Sequence, residues 1–325
     1  MTEVKITTKA ASNIALIKYM GKLDNSINSA TNSSISLTLP HLLTTVTIEK
    51  STEQQTIWRP ANKNFALSAL GQEKFLNHWE RCRLKLAPLY KGNVIITSGN
   101  NFPSDCGLAS SASSFAALTM AAHDFFKYHE FLEKSYSTEE LAQLSREGSG
   151  SSCRSFFDSW VFWSGPKVSP LDNIWKSISH SVVVVDGNRK KVSSSEAHQR
   201  VVSSSLFFGR IERAEKRSEQ LQVFLKDSKA WKSIYELAWS EFWDMHTLFE
   251  TSVPSFYYMT PKSLLALRYF QNYWELHGDG PIVTMDAGPN VHLLYREDQL
   301  EMQRLHNLEL RKLDYLVISG PQENV

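Results

Sequence analysis

The feature that most restricts the fold is a strand-like run that passes through a Pro and Gly turn into a helix rich in small residues. The run "GNVIITSGN" (92–100) ends in turn residues, and "NNFPSDCGLASSASSFAAL" (100–118) follows it. Apolar residues then recur at helical spacing at Phe115, Leu118 and Ala122. The first N–H groups of a helix lack backbone partners and attract phosphate. No lysine follows the glycine as in the GxxxxGK[ST] loop, so the segment predicts a phosphate site of another kind.

Other apolar patterns in the first half predict both strands and helices. The alternating, β-branched segment "SSISLTLPHLLTTVTIEKS" (33–51) indicates two strands joined at Pro40. Ser137 and Glu140 have the spacing of a capping box, so a helix is expected to begin there. "SHSVVVVDG" (179–187) indicates a short buried strand.

The second half predicts two long helices and three further strands. One helix carries an aromatic stripe from Trp231 onward, and the next has Thr260 at its N-cap before a proline. The serine-rich stretch 193–205 is typical of a mobile connection between domains. Because helices and strands do not alternate regularly, we expect an α+β fold with two domains, 1–187 and 188–325.

Composition excludes several classes of protein. The formal net charge of the 325 residues is +1, so no global field recruits nucleic acid or an acidic membrane surface. The three cysteines are odd in number and lack CxxC spacing, which argues against a disulfide framework and a zinc site and suits a reducing cytosol. No stretch approaches a membrane span. We therefore expect a cytoplasmic protein that acts on a small molecule.

Three further segments combine hydroxyl groups, glycine and charge. Lys18 and Lys22 flank Tyr19 after an apolar run, and "SREGSGSSCRSFF" (145–157) places Arg154 behind many small hydroxyl residues. Asp286 stands alone in "TMDAGPN". Each segment alone is also typical of a solvated turn or strand end. Together they favour a nucleotide-using enzyme with an anionic substrate.

The motifs "NIALIKYMGK", "TNSSISLTL", "NNFPSDCGLASSAS", "GSGSSCRSFF" and "MDAGPN" together resemble mevalonate diphosphate decarboxylases of the GHMP kinase superfamily. The resemblance runs in family order from residue 13 to 290. It implies a ribosomal-protein-S5-like N-terminal domain, a ferredoxin-like C-terminal domain and a homodimer. It also implies ATP-dependent decarboxylation of mevalonate 5-diphosphate to isopentenyl diphosphate, with Mg²⁺ arriving on ATP and no permanent metal site.

The same resemblance assigns roles residue by residue. The catalytic residues are Asp286, Arg154 and Lys18. The residues expected to hold the substrate are Tyr19, Lys22, Ser149, Ser151 and Ser194. Those expected around ATP are Ser98, Asn100, Gly107, Leu108, Ala109, Ser110 and Ser111.

One departure from the family affects the diphosphate end of the site. Ser195 stands where the family commonly has an arginine, and His198 stands where it has a methionine. A diphosphate needs positive charge at that end, which Ser195 does not supply. Lys190, Lys191 and Arg200 are candidates, with His198 able to contribute when protonated. We expect Arg200, on a loop that can fold back, to substitute for the missing guanidinium.

Two other functions remain open on the sequence. One is a related decarboxylase or 3-kinase that acts on mevalonate 5-phosphate or mevalonate. The other is a homologue that binds phosphorylated metabolites without turnover. Loss of Asp286 or Lys18 would favour the second, and neither residue is lost.

Overall fold

A computed structural model describes residues 4–24, 28–63, 65–102, 110–186 and 190–320. The strands in these ranges are β1 Lys5–Ile17, β2 Lys22–Asp24, β3 Ser29–Ala30, β4 Ser34–Ser51, β5 Ile57–Pro60, β6 Asn93–Asn100, β7 Trp160–Ser164, β8 Lys167–Pro170, β9 Ile178–Val184, β10 Ile282–Thr284, β11 Val291–Arg296 and β12 Leu316–Gly320. The helices are α1 Ala69–Leu86, α2 Ser110–Tyr128, α3 Thr138–Arg146, α4 Ser194–Arg200, α5 Arg210–Phe224, α6 Trp231–Thr251, α7 Pro261–His277 and α8 Leu300–Lys312. The mixture of helices and strands confirms the expected α+β class.

A six-stranded sheet is built around the long strand β4. Strand β1 pairs with β4 in antiparallel fashion along nearly its whole length. On the other edge of β4, β6 pairs with residues 44–51 and β7 with residues 34–37. Strand β5 extends the sheet parallel to β6, and β8 extends it antiparallel to β7. The first half of the chain therefore presents one sheet, and the 3-10 helix Gly150–Phe156 contacts its strands β1, β4 and β7.

A second sheet has the order β10-β11-β9-β12, with every pairing antiparallel. Strand β9, which the sequence places in the first domain, thus forms its hydrogen bonds in the second sheet. The expected boundary between 187 and 188 lies outside the described residues. The domain limits 1–187 and 188–325 stay a prediction.

The two sheets share one apolar core. Leu16 and Leu37 of the first sheet lie in the same buried cluster as Val183 of the second, together with Phe242 of α6 and Phe270 of α7. A separate cluster joins α1 and α2 to the opposite side of the first sheet. This burial on both faces explains why the last six residues of β1 are all buried, whereas its first residues alternate.

The predicted break at Pro40 is wrong, because β4 runs through it. The β1–β4 register jumps from Ala11 opposite Leu43 to Ser12 opposite Leu39, so the extra residues of β4 bulge out of the pairing. A bulge tolerates proline, since the missing N–H removes no ladder hydrogen bond there. One bent strand therefore replaces the two that the sequence predicts.

The serine-rich stretch 193–205 is not a featureless connection either. It contains α4, and the Ser193 side chain accepts a hydrogen bond from the backbone N–H of Glu196 at 3.2 Å. The spacing of Ser193 and Glu196 is an N-terminal capping signal that competes with the loop interpretation of the serines. The helices predicted at Ser137, Trp231 and Thr260 begin as expected, and the N-caps Ser137 and Thr260 form capping boxes.

Candidate active site

Three chain segments meet at a cavity of about 460 Å³. Its wall includes the residues directly after β1, the Ser/Gly turn before and within the 3-10 helix Gly150–Phe156, and the turn after β10. Of the predicted site residues, Lys18, Tyr19, Lys22, Ser111, Ser149, Ser151, Arg154, Ser194 and Asp286 line this cavity. The fold thus brings the scattered sequence motifs to one place.

Lys18 and Asp286 form an ion pair in the cavity wall. The distance from Lys18 Nζ to Asp286 Oδ1 is 2.7 Å, and the Lys18 side chain is only 2% exposed. Burial lowers the pKa of Lys18, and the adjacent carboxylate partly offsets this by favouring the ammonium. Burial is the largest influence on Asp286 and opposes its ionisation, but Lys18, His292 and Arg154 together outweigh it and hold the carboxyl pKa below its ordinary value. At neutral pH the site therefore holds a carboxylate against an ammonium.

Arg154 is buried and held by two strands of the first sheet. Its Nε and Nη2 donate to Asn13 Oδ1 at 3.2 and 3.0 Å, and its Nη1 donates to Ser34 Oγ. A guanidinium has five N–H groups, so two remain after these three bonds within the described residues. The negative charge of Asp286 favours the charged form of Arg154, although burial lowers its pKa. Arg154 is therefore a fixed cation with donors available to an anionic ligand.

The Ser/Gly turn leaves space for the ring of Tyr19. A Cβ atom on Gly150 would lie 2.8 Å from Tyr19 Cε1, and one on Gly148 would lie 2.2 Å from Phe115. Within the described residues, the buried Tyr19 hydroxyl has no hydrogen-bond partner. Burial raises the Tyr19 pKa, so the hydroxyl keeps its proton and is a donor for a ligand oxygen. Ser149 Oγ lies 3.4 Å from both Ser151 Oγ and Ser111 Oγ, which gathers three more hydroxyl groups.

Two histidines beside the cavity are neutral. His246 Nε2 lies 3.1 Å from the backbone oxygen of Asp286, and since a carbonyl only accepts, this nitrogen carries the hydrogen. His198 Nδ1 accepts from the backbone N–H of Gly21 at 3.0 Å. Burial lowers the pKa of each imidazole to about 3. The expectation that a protonated His198 contributes positive charge is therefore not supported by its surroundings.

These buried histidines make the protein sensitive to mild acid. His78, on the buried face of α1, shares the burial-lowered pKa of about 3 with His198 and His246. Between about pH 6.5 and 5 the unfolded chain binds protons that the folded protein excludes, so the free energy of unfolding falls as pH falls. Each histidine contributes about 2 kcal/mol of this loss. Thermal melts at about pH 7, 6 and 5 should show a steadily lower Tm, and a constant Tm would contradict the assignment.

Further cations line the same cavity, and two of them, Lys74 and Arg81, are not singled out by the sequence. Lys74 and Arg81 extend toward it from one face of α1, beside Lys22, and Lys190 lines it from the segment before α4. Burial lowers the pKa of Lys22, and the charge of Lys74 lowers it further. Arg81 Nη1 donates to the backbone oxygen of Glu147 at 2.7 Å. Among the described contacts, Lys22 and Lys74 have no carboxylate partner, so they repel each other until an anion binds.

Arg200 is not brought to this cavity. Its guanidinium pairs with Glu196 one turn earlier on α4 and lies 5.5 Å from the centre of the Phe256 ring. The helix keeps the side chain on this face, because α4 replaces the flexible loop that would have let it fold back. Ser194 and Ser195 do line the cavity, and Lys190 Nζ lies 3.4 Å from Ser194 Oγ. Positive charge beside position 195 therefore comes from Lys190, and Lys74 and Arg81 of α1 add positive charge to the same cavity.

The residues expected around ATP are only partly described. Gly107, Leu108 and Ala109 lie outside the described residues. Ser110 and Ser111 form the first turn of α2, with Ser111 in the cavity wall. Ser98 Oγ accepts from Trp58 Nε1 at 2.8 Å, and Asn100 Oδ1 accepts from Thr44 at 2.7 Å. These two side chains are thus engaged within the first sheet.

Comparison with known proteins identifies the family. The model of the diphosphomevalonate decarboxylase-like N-terminal domain matches residues 10–169, and that of the mevalonate 5-diphosphate decarboxylase C-terminal domain matches residues 181–310. The chain belongs to the diphosphomevalonate decarboxylase family. Its similarity to the diphosphomevalonate decarboxylase of Schizosaccharomyces pombe is 30% identity over 91% of this chain and 80% of the relative. The diphosphomevalonate decarboxylase of Candida albicans is 32% identical, over 88% of this chain and 82% of the relative.

Solved structures of the diphosphomevalonate decarboxylase family share the fold. A mevalonate diphosphate decarboxylase from Legionella pneumophila is 43% identical with a TM-score of 0.89, covering 97% of this chain and all of that one. The enzyme from Enterococcus faecalis is 27% identical with a TM-score of 0.82 and 98% coverage of both chains. A further structure, 27% identical with a TM-score of 0.84 and the same coverage, contains MVAPP, AMPPCP and magnesium. The GHMP-kinase fold expected from the resemblance is confirmed.

Proposed function

We propose that this protein catalyses the ATP-dependent decarboxylation of mevalonate 5-diphosphate to isopentenyl diphosphate, releasing ADP, phosphate and CO2. The observation that carries the proposal is the Lys18–Asp286 ion pair beside the buried Arg154. It lies in the cavity of a chain that two decarboxylase family models match over most of its length. The bound MVAPP and ATP analogue in a related structure support the same substrates here.

Asp286 prepares the tertiary hydroxyl of the substrate for phosphorylation. Its carboxylate is ionised and accepts a hydrogen bond from the hydroxyl, which aims the oxygen at the γ-phosphate of ATP. A carboxyl group with a lowered pKa is a weak base, so the proton passes from the hydroxyl to Asp286 only as the new phosphorus–oxygen bond forms. Lys18 fixes the carboxylate and offsets the negative charge that ATP and the substrate bring together.

Loss of CO2 follows departure of the new phosphate group. Breaking the carbon–oxygen bond builds positive charge on the tertiary carbon, and the electron pair of the carbon–carboxylate bond then forms the double bond. The Asp286 carboxylate stabilises that positive charge. The two remaining N–H groups of Arg154 hold the substrate carboxylate until CO2 leaves.

ATP is expected at the N-terminus of α2. Ser110 and Ser111 offer hydroxyl and backbone N–H groups there, and the helix dipole favours phosphate. We assign Ser98, Asn100 and the segment 107–109 to the same nucleotide by resemblance. Within the described part of the chain, no three His, Cys, Asp or Glu residues could together hold a metal ion. We expect Mg²⁺ to arrive bound to ATP, as the AMPPCP and magnesium in a related structure support, and it would neutralise phosphate charge during the transfer.

The diphosphate of the substrate is proposed to bind where Lys22, Lys74, Arg81 and Lys190 line the cavity. The Tyr19 hydroxyl and the hydroxyls of Ser149, Ser151 and Ser194 supply further donors. Two unpaired, mutually repelling lysines are stabilised by an anion of high charge more than by a monophosphate. This arrangement favours the diphosphate over the 5-phosphate despite the serine at position 195.

The source of this charge can be tested by comparing Lys74→Met with Arg200→Ala. We expect Lys74→Met to raise KM for the 5-diphosphate by about tenfold, the effect of one lost charge-assisted contact. Arg200→Ala should leave that KM unchanged, because its guanidinium is held by Glu196. Lys85→Met, on α1 but outside the cavity, is the control for loss of a helix lysine. A raised KM in Arg200→Ala alone would instead support the assignment made from the sequence.

The decisive assay follows ADP and CO2 separately. Purified protein is incubated with Mg-ATP and with mevalonate, its 5-phosphate or its 5-diphosphate. The proposal expects equal amounts of ADP and CO2 from the 5-diphosphate. ADP without CO2 would indicate a 3-kinase, turnover of the 5-phosphate or mevalonate would indicate the related enzyme, and no ADP would indicate a binding protein.

The cellular setting and assembly are part of the same proposal. Cys82 and Cys153 are buried free thiols, which suits a reducing cytoplasm. In the described ranges, no helix is both long and apolar enough to cross a bilayer. A homodimer is expected from the family resemblance, and light scattering of the purified protein would test it.

A further inference from the structure

The backbone of Lys18, and not only its side chain, is held in place by the second half of the chain. Lys18 follows the last residue of β1. Its backbone N–H donates to Glu241 Oε1 at 2.9 Å, and its carbonyl accepts from Arg210 Nη2 at 3.1 Å. Asn32 Nδ2 donates to the same carbonyl at 3.0 Å. Side chains thus fix the peptide groups on both sides of the Lys18 Cα atom.

Arg210 of α5 and Glu241 of α6 form one buried unit around this backbone. Both side chains are 0% exposed. Arg210 Nη2 lies 2.5 Å from Glu241 Oε1, and Nη1 lies 3.1 Å from Oε2. The same Glu241 oxygen that accepts from Arg210 also accepts from Lys18. We call this pair of side chains the Lys18 clamp.

The clamp belongs to a larger charge network, whose other members Arg213, Arg217 and Asp244 make no hydrogen bond to the Lys18 backbone among the described contacts. Arg217 Nη1 donates to Glu241 Oε2 at 2.8 Å and to Asp244 Oδ2 at 2.6 Å. Arg213 pairs with Asp244 at 2.7 Å, and its side chain is 39% exposed. Arg213 therefore offers a matched arginine on the same helix as Arg210 that has no contact with the Lys18 backbone.

Stability alone does not account for the clamp. A buried ion pair loses much of its attraction to desolvation, and apolar side chains of similar volume often stabilise a core equally well. What apolar side chains cannot supply is a donor for the Lys18 carbonyl and an acceptor for its N–H. The polar pair is thus needed at the point where the chain leaves β1 and turns toward Asp286.

We propose that Arg210 and Glu241 are positioning residues that hold the Lys18 backbone so that its ammonium reaches Asp286. A displacement of about 1 Å at a reacting group can cost about a hundredfold in rate. The carbonyl of Asp286 is itself held by His246, also on α6. Helix α6 thereby sets both members of the ion pair. The inference rests on the proposed function for its kinetic part, but not for its structural part.

The test uses the full-length protein and three variants. Arg210→Lys keeps the positive charge but lacks the planar guanidinium that bonds Glu241 and the Lys18 carbonyl together. The double variant Arg210→Met with Glu241→Met keeps the net charge and replaces the pair by apolar side chains of similar size, so it should fold. Arg213→Met removes an arginine from the same network without touching Lys18.

We expect both clamp variants to lower kcat by about ten- to a hundredfold. KM for ATP and for the 5-diphosphate should change by less than about threefold, because the groups that bind them are elsewhere. Crystal structures should show the distance from Lys18 Nζ to Asp286 lengthened from 2.7 Å to beyond hydrogen-bond range in these variants. Arg213→Met should retain kcat and that distance.

Two results would overturn the proposal. One is a folded double variant with wild-type kcat, and the other is an unchanged Lys18–Asp286 distance in its crystal structure. If the wild-type protein turns over none of the substrates, the proposed function fails. The crystal structures then still decide whether the clamp sets the position of Lys18.

Discussion

Replacing Asp286 with asparagine should leave a folded protein that binds ATP and the 5-diphosphate but turns over about a thousandfold more slowly. Asparagine matches the aspartate in shape, yet it lacks the negative charge that orients the hydroxyl and stabilises the positive carbon. KM values should change little, since the cations proposed to hold the phosphates are unaltered in this variant. Steady-state release of CO2 measures the effect.

Asp279→Asn is the matched control for this variant. Asp279 lies seven residues before Asp286, pairs with Arg296 at 2.8 Å and does not line the cavity. Its replacement should cost some stability and leave kcat unchanged. If Asp286→Asn kept a tenth of wild-type turnover, the role assigned to this carboxylate would be wrong.

Lys18→Met should lower kcat by about a hundred- to a thousandfold, for a related but distinct reason. Without the ammonium, burial acts on Asp286 with less opposition, so the pKa of the carboxyl rises. The acid limb of the residual kcat profile should therefore move to higher pH than in the wild type. Rates measured from about pH 4 to 9 would reveal the shift.

Lys5→Met, at the start of the strand that leads into Lys18, serves as the control. Lys5 is 61% exposed and pairs with Glu49 on the surface of the first sheet. Its loss should affect neither kcat nor the pH profile. A Lys18→Met variant with low kcat but an unmoved acid limb would indicate that Lys18 contacts the substrates without setting the ionisation of Asp286.

The central residues of the site could be predicted because each lies within a compact motif. Lys18, Arg154 and Asp286 stand next to glycines and turn residues whose order along the chain resembles the family, and the structure gathers all three. Gly148 and Gly150 explain the Ser/Gly stretch in physical terms, since side chains there would collide with Phe115 and Tyr19. In these cases the residues around each position were enough to predict that it belongs to the site.

Contributions from the helices could not be predicted in the same way. Lys74 and Arg81 look like ordinary solvated residues of an amphipathic helix until the packing of α1 turns them toward the cavity. Arg210 and Glu241 are 31 positions apart, and only the packing of α5 against α6 makes them a pair. Arg200 lies away from the cavity for the opposite reason. A capped helix, α4, forms where the serines predicted a loop.

The apolar core that both sheets share has a consequence for how the cleft can work. Because Leu16 and Leu37 pack in one cluster with Val183 and Phe270, the two halves cannot swing apart as rigid bodies without exposing that cluster to water. We therefore expect any opening of the cavity to be a local movement at its rim. For the same reason, cutting the gene after codon 187 would produce two fragments with exposed apolar faces, each prone to aggregate, instead of two separately usable modules.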